Sequence, residues 1–362
     1  MRRCAPRSPG DVARDADVAV RTTPSRYCAR RVITTERSVV LLGTPIDDVT
    51  MTEAVGRVAA MIATGRATGR VHQIATINVD FVVNATKDPT LLHIMGRTDL
   101  AIPDGMGILW GARLIGVPLR ERTSGVDLVP ALAERASVED WRICLFGAAP
   151  GVAERAAQTL TERYPGADVV GLPAPSVAAD GTMDAAALEP IRELDPDIVA
   201  VALGNPKQER WIARHGKALG APVCIGIGGS LDFLTGVTRR APNWMQRWGL
   251  EWIHRALSDP RRLAGRYAKD LVVFGPGILR QAWRGRGRTP EAQPRPTHDG
   301  DVVRLDLGAL DTIDNVTLAA VVGIRRQARR RGERLEVVGV APALEAAAGR
   351  LDAAHLLGAG AG

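Results

Sequence analysis

The residue of this chain best placed to move a proton is a carboxylate held between a proline and two glycines, in Pro103-Asp104-Gly105-Met106-Gly107. It follows the apolar run Leu100-Ala101-Ile102, so Asp104 falls where a strand turns into a helix. Proline presets the backbone ahead of it, and glycine lets a ligand come close to the main chain. The competing use is a plain helix cap, which Ser or Asn would serve equally well. Upstream, Thr76 and Asn78 alternate with apolar residues, which puts both on one side of a polar strand end. Downstream, Arg120 and Arg122 precede a helix that starts near Ser124. A guanidinium beside a helix N-terminus suits a phosphate or pyrophosphate. Gly204-Asn205-Pro206-Lys207-Gln208-Glu209 follows another apolar strand and opens a helix. Gln208 offers an amide donor and acceptor suited to a uracil edge or a sugar. Glu209 reads as a helix N-terminal anion or as a surface charge. Gly226-Ile227-Gly228-Gly229 ends the next strand with bare backbone. Three polar or glycine-rich strand ends in one sheet favour a cleft.

The elements that must carry these residues alternate. Strands are expected at 39–43, 72–80, 141–148, 167–171, 197–203 and 222–227. Helices are expected at 51–64, 88–96, 107–114, 151–164, 183–194 and 207–217, with another from about Ser124. Strands alternating with helices predict an α/β fold with a doubly wound, mainly parallel sheet. Ligands of such sheets bind beyond the carboxyl ends of the strands. The turn Phe146-Gly147-Ala148-Ala149-Pro150-Gly151 could cradle a phosphate, but it lacks the full dinucleotide fingerprint and reads equally as a plain strand-to-helix turn.

Composition bounds the rest. The chain has 362 residues, an ordinary globular mixture, and a net charge of +7. The basicity is local. Residues 239–288 hold twelve Lys or Arg against three carboxylates, a net +9, which leaves the remainder slightly acidic. The same segment carries Trp244, Trp248 and Trp252 at a four-residue spacing, which a continuous helix would place on one face. Basic residues with a tryptophan stripe point to an interfacial helix on anionic lipid. Nucleic-acid binding by the same charges has no accompanying motif, and a core stripe with a solvated basic face is the plain alternative. No apolar run reaches membrane-spanning length. Residues 1–36, rich in Arg, Pro, Ala and Ser, read as a disordered extension, because Asp11 to Asp17 interrupt any signal-peptide core. The four cysteines share no metal spacing.

From about Val39 to Tyr267 the chain resembles the WecG/TagA/CpsF bacterial glycosyltransferases, glycosyltransferase family 26. The resemblance rests on seven ordered blocks: Thr76-Ile77-Asn78, Pro103 to Gly107, Arg122-Thr123-Ser124-Gly125-Val126-Asp127, Gly204 to Glu209, Gly226 to Gly229, Arg240-Ala241-Pro242 and Gly249-Leu250-Glu251-Trp252. It implies transfer of a sugar, N-acetylmannosamine or its uronic acid, from a UDP-sugar to a polyprenyl-diphosphate-linked acceptor. It implies that Asp104 is the general base and that Thr76, Asn78, Gly105 and Gly107 share its cleft. Arg122 would support a diphosphate. Asn205, Lys207, Gln208, Glu209, Gly228 and Gly229 would line the donor side. Arg240, Arg261, Arg262 and Arg266 would close the site at an anionic membrane. No Asp-x-Asp metal motif lies near these blocks, so no obligatory cation or cofactor is expected.

The domain plan that follows is a core at 38–238, a basic appendage at 239–284, a linker at 285–300 and a small module at 301–362. The module resembles the second half of a STAS domain, without its usual first strands: a strand at 302–307, a helix at 317–331, a strand at 334–339 and a helix at 342–351. Where such domains carry a phosphorylatable Ser after Asp, this chain has Asn315. A binding or oligomerisation module and a degenerate appendage both stay open, and because Asn315 lacks a hydroxyl, deletion of residues 290–362 is expected to leave transfer in vitro largely intact. The expected whole is an inverting glycosyltransferase peripheral on the inner face of a bacterial membrane, with a possible homo-oligomer and no nucleic-acid partner. Its rivals are a nucleotide-binding oxidoreductase, which would need the complete glycine fingerprint, and a non-enzymatic nucleotide-sugar-binding protein that acts through the module.

Overall fold

A computed structural model describes residues 37–357, apart from 239, 243, 246–247, 249, 286–293 and 311 and the side chains of Arg262 and Arg295. The expected extension at 1–36 lies outside the described residues. The expected sheet is present and wholly parallel. Its six strands run in the order β4 (Leu100–Pro103), β3 (His72–Ile77), β8 (Val223–Gly226), β7 (Ile198–Ala202), β5 (Arg142–Gly147), β6 (Asp168–Leu172). The four strands whose ends carry the candidate residues, β4, β3, β8 and β7, are therefore consecutive neighbours.

The first helix, α1 (Met51–Thr68), shows how locally the boundaries are written. Thr50 and Glu53 form a capping box: Glu53 N–H donates to Thr50 Oγ1 at 3.3 Å and Thr50 N–H to Glu53 Oε2 at 3.2 Å. Gly69, at φ 71°, ends it in the left-handed conformation that glycine tolerates.

Two expected elements are corrected. The strand expected through Asp80 stops at Ile77, and Val79–Ala85 form a short helix, α2. The run Val79-Asp80-Phe81-Val82-Val83 has strand-like composition, but Asn78 caps it, accepting Phe81 N–H at 2.9 Å, and the helix buries Phe81, Val82, Val83 and Ala85. Burial overrides propensity there. The helix expected at 183–194 is broken into a 3₁₀ turn (Ala185–Leu188) and α7 (Glu189–Glu193). Pro190 supplies no N–H to continue a helix from the preceding turn.

The basic segment forms two helices, Glu251–Ser258 and Pro260–Arg284. The tryptophans do not share one continuous helix face: Trp248 N–H bonds Trp244 O at 3.0 Å, whereas Trp252 opens the next helix. Nor are they core. Trp244 and Trp248 are exposed, and Trp252 is exposed on one side while its ring meets Tyr267 edge-on. The long helix Pro260–Arg284 does reach the core through Ile278 and Ala282, and Phe274 closes over Gly111, where a Cβ would stand 2.9 Å from the ring.

The C-terminal module corrects the expected linker and the expectation that it lacks an early strand. Arg295–Asp299 form a strand, β9, paired antiparallel with β10 (Val302–Asp306), which pairs in parallel with β11 (Arg334–Val338). Nor is the module set apart from the core. Its helix Asn315–Arg330 packs on the hairpin β1 (Ser38–Leu41)–β2 (Thr44–Asp47), whose two-residue turn is Leu42-Gly43. Arg326, 3% exposed, donates to Asp47 Oδ2 at 2.8 Å and to the carbonyls of Pro45 and Met95 at 3.2 and 3.3 Å. Asn315 is buried. It donates to Ile115 O at 3.3 Å and accepts from Gln281 Nε2 at 3.1 Å. Gln281 also donates to Val40 O and accepts Leu42 N–H. Removing the module would uncover Val40 and take Ala319 away from Val39 and Leu41, which bears against the expectation that transfer survives its loss.

Candidate active site

The ends of β4, β3, β8 and β7 lie side by side at one edge of the sheet and bring the candidate residues together. After β4, Asp104 N–H bonds Ile77 O at 2.8 Å, which ties the turn to β3. Gly105 follows at φ 106°, a backbone setting that favours glycine, and precedes α4 (Met106–Leu114). A Cβ on Gly107 would stand 2.6 Å from Val79, so that glycine lets α4 lie against α2. The Asp104 carboxylate is half-buried, and among the described residues no hydrogen-bond donor reaches it. Burial pushes it up to about 6, against the opposing pull of the Arg122 and Arg255 charges and with the push of Glu251 and Asp127. A carboxylate without donors, poised near neutrality, is equipped to accept a proton.

The strand-end pair behaves differently from the alternation reading. Thr76 is buried and donates to Gly226 O at 2.9 Å, bridging β3 to β8. Asn78 spends its side-chain oxygen on the α2 cap. Both therefore shape the cleft floor.

The arginines gather above Asp104. Arg122 donates to Glu251 Oε2 at 2.9 Å and lies 3.6 Å from Asp127 Oδ2. Arg240 grips Asp127 with two bonds of 2.7 and 2.9 Å. Ser124, which precedes α5 (Gly125–Glu139), also donates to Asp127, at 2.6 Å. Burial works to raise the Asp127 carboxyl, but bonds from Arg240 and Ser124 outweigh it and hold the group below the ordinary range. Arg255 stacks over Phe233 with its guanidinium 5.1 Å from the ring. Arg120, by contrast, faces away from this cluster, bonded to Asp48 and Glu53. Arg266 lies 5.1 Å over the Tyr267 ring and leaves its buried Nε without a partner. Arg261 is exposed, and the Arg262 side chain lies outside the described ones.

The Gly204–Glu209 stretch turns from β7 into α8 (Lys207–Leu219). Lys207 Nζ reaches Val177 O at 3.4 Å. Gln208 is buried: it accepts Gly228 N–H at 3.0 Å and donates to Glu209 Oε1 at 2.7 Å. It thus underpins the Gly228-Gly229 turn, in which Gly228 stands at φ 55°. The surface-charge reading of Glu209 is overturned, because the residue is fully buried. Burial pushes it up to about 7, although hydrogen bonds from Gln208, the backbone and Asn205 favour the ion. A Cβ on Gly226 would stand 2.7 Å from Gln208 Nε2, so any side chain there would have to displace that buried amide. The weaker candidate turn at 146–151 is a strand-to-helix turn. Gly147 (φ 105°) packs so that a Cβ would lie 2.9 Å from Ala202 O, and Gly151 opens α6 (Val152–Arg163).

Sequence reasoning missed Arg255, Asn84 and Lys269. Asn84 becomes visible as a site neighbour only once Val79–Ala85 is known to be a helix. Lys269 was counted merely among the basic residues.

This geometry sits inside clear relationships. Residues 39–288 match the glycosyl transferase WecG/TagA/CpsF family, and residues 291–358 match the family described as Mlab, STAS domain. An N-acetylglucosaminyldiphosphoundecaprenol N-acetyl-beta-D-mannosaminyltransferase of Bacillus spizizenii is 32% identical over 191 residues, 52% of this chain and 72% of that protein. Proteins of the same name from Staphylococcus aureus strains MW2 and NCTC 8325 are 30% identical over 236 residues, 65% of this chain and 90% of theirs. With its parallel sheet, its family blocks on adjacent strand ends and a match over more than half its length, this chain is a glycosyltransferase that belongs to the WecG/TagA/CpsF family.

Proposed function

We propose that this enzyme transfers N-acetylmannosamine, or a closely related sugar, from a UDP-sugar to a polyprenyl-diphosphate-linked saccharide, with inversion at the anomeric carbon. The observation that carries the chemistry is Asp104: a carboxylate at the strand end, with no hydrogen-bond donor among the described residues and raised to about 6. It takes the proton of the acceptor hydroxyl as that oxygen attacks the anomeric carbon. The bond to UDP breaks on the opposite face, and the leaving diphosphate gains negative charge. Arg122 and Arg240 stand ready to receive it by exchanging Glu251 and Asp127 for phosphate oxygens. The backbone N–H of Gly229 and the N-terminus of α8 add neutral donors beside the nucleotide. The relatives named above act, by their names, on an undecaprenyl-diphosphate-linked N-acetylglucosamine, and that acceptor class fits the arginine-rich mouth.

The acceptor is lipid-borne, so the enzyme works as a peripheral protein at the cytoplasmic face of the membrane. Among the described residues no helix is long and apolar enough to cross a membrane. The basic segment instead exposes Trp244, Trp248, Leu257, Leu271, Val272 and Trp283 among its cations. Apolar side chains with basic neighbours are suited to an anionic lipid interface. The decisive assay offers the protein a panel of UDP-sugars with a short-chain prenyl-diphosphate-linked N-acetylglucosamine, and follows UDP release and the anomeric configuration of the product. UDP release that does not depend on the acceptor, or a product that retains configuration, would overturn the reading.

A further inference from the structure

The long basic helix touches the candidate donor site through a chain of side chains that runs in one sense. Lys269 Nζ, on that helix, donates to Asn84 Oδ1 at 2.9 Å. Asn84 Nδ2 donates to Asn205 Oδ1 at 3.0 Å. Asn205 Nδ2 donates to Glu209 Oε2 at 3.0 Å. From the other side, Gly228 N–H donates to Gln208 Oε1 at 3.0 Å, and Gln208 Nε2 donates to Glu209 Oε1 at 2.7 Å. An ammonium and a backbone N–H can only donate, so the two ends fix the orientation of all three amides. Both series end on one buried carboxylate. Reversing any amide would set donor against donor or acceptor against acceptor in an interior where an unmade bond is costly.

We propose that Lys269, Asn84, Asn205 and Glu209 form a polar relay through which docking of the basic helix sets the orientation of Gln208 and the Gly228 turn, so that the donor pocket is in order only when that helix is seated. The donor-binding part rests on the UDP-sugar reading above; the relay itself does not. Asn205 and Gln208 flank the turn at the ends of β7 and β8, and Lys269 is the relay's link to the helix. Lys269 is partly exposed and therefore replaceable without emptying the core. It also lies 3.5 Å from Asp80 Oδ1, so a simple ion pair between the helix and α2 is the rival account.

Four variants of the full-length protein separate these accounts, read by donor KM against kcat and by hydrogen exchange of the segments around 204–209 and Gly228. Lys269→Met keeps the apolar stem and loses the donor; donor KM should rise about tenfold with kcat at saturating donor little changed, the scale of losing one charge-assisted bond. Lys269→Arg should restore most of it. Asn84→Asp cannot donate to Asn205 and should raise donor KM further, about a hundredfold. Both Lys269→Met and Asn84→Asp should speed exchange at Gly228 while leaving β5 and α6 protected as in the wild type. Asp80→Asn should do neither. Unchanged exchange at Gly228 in Lys269→Met and Asn84→Asp, or an Asp80→Asn variant that reproduces the Lys269→Met effect, would overturn the relay. A wild-type protein that transfers nothing from any UDP-sugar would instead remove the donor reading, and the exchange data would still decide the relay.

Discussion

Replacing Asp104 with Asn keeps the shape of the turn and removes the charge, and its two consequences have opposite signs. Burial raises the carboxyl from 3.8 to about 6 in the folded protein. Between those values the folded state binds more protons than the unfolded state, so stability falls as pH rises through that window, and the full cost is present above it. A shift of about two units corresponds to about 3 kcal/mol. The neutral amide avoids that cost, so Asp104→Asn should melt several degrees above the wild type at pH 8, with the difference vanishing below about pH 4. Activity should move the other way: turnover should drop roughly 10²–10⁴-fold, the range for losing a general base. In the wild type kcat/KM should fall about tenfold per unit below pH 6, because only the ionised carboxylate accepts the proton. Thermal melts from pH 4 to 8, paired with UDP-release kinetics, test both. An Asn variant with near-full activity, or one that melts below the wild type at pH 8, would refute the argument that burial holds Asp104 ready as a base.

The remaining predictions follow from neighbours of that site. Arg122→Ala should impair donor use far more than Arg120→Ala, whose contacts with Glu53 and the buried Asp48 hold the fold and do not face the donor; equal kinetic effects would reduce Arg122 to surface charge. Trp248→Ser combined with Leu257→Ser should weaken co-sedimentation with anionic vesicles without lowering the melting temperature, and binding by the wild type should weaken with salt; binding indifferent to lipid charge would remove the membrane assignment. Arg326→Ala should cost about 2–3 kcal/mol, because it takes from the buried Asp47 its nearest guanidinium and leaves it Arg330 at 3.8 Å; a melting curve like that of the wild type would show that the module merely rests on the core.

The parts of this protein that could be read in its sequence are those written locally. The parallel sheet follows from apolar runs alternating with amphipathic ones, and the expectation of a cleft from polar or glycine-rich ends on three of the strands. Helix boundaries such as Thr50-Glu53 and Gly69 are spelled out within a few residues. Val79–Ala85 escaped because its composition is that of a strand and only tertiary burial makes it a helix. The roles of Gln208 and Glu209 escaped for a related reason. Read alone, they are polar residues at a helix start, and the partners that bury them, Gly228 and Asn205, lie on other turns or depend on a folded helix end.

The C-terminal helix carries the same lesson to larger scale. Arg325, Arg326, Arg329, Arg330 and Arg331 crowd the end of one helix, and Arg326 is among the most buried charges described while Arg330 donates to Asp99 O at 2.8 Å. Arg326, Arg329 and Arg330 find their carboxylates and carbonyls in residues 45–99, more than two hundred positions earlier in the chain, whereas Arg325 donates to Leu356 O within the module. Gln281 then joins the same helix to the long basic one through Asn315. Asn315, which from sequence marked only a missing hydroxyl, is thus a buried joint among module, hairpin and basic helix. A substitution there has to be judged first by the packing it disturbs and only then by any signalling role its position suggests.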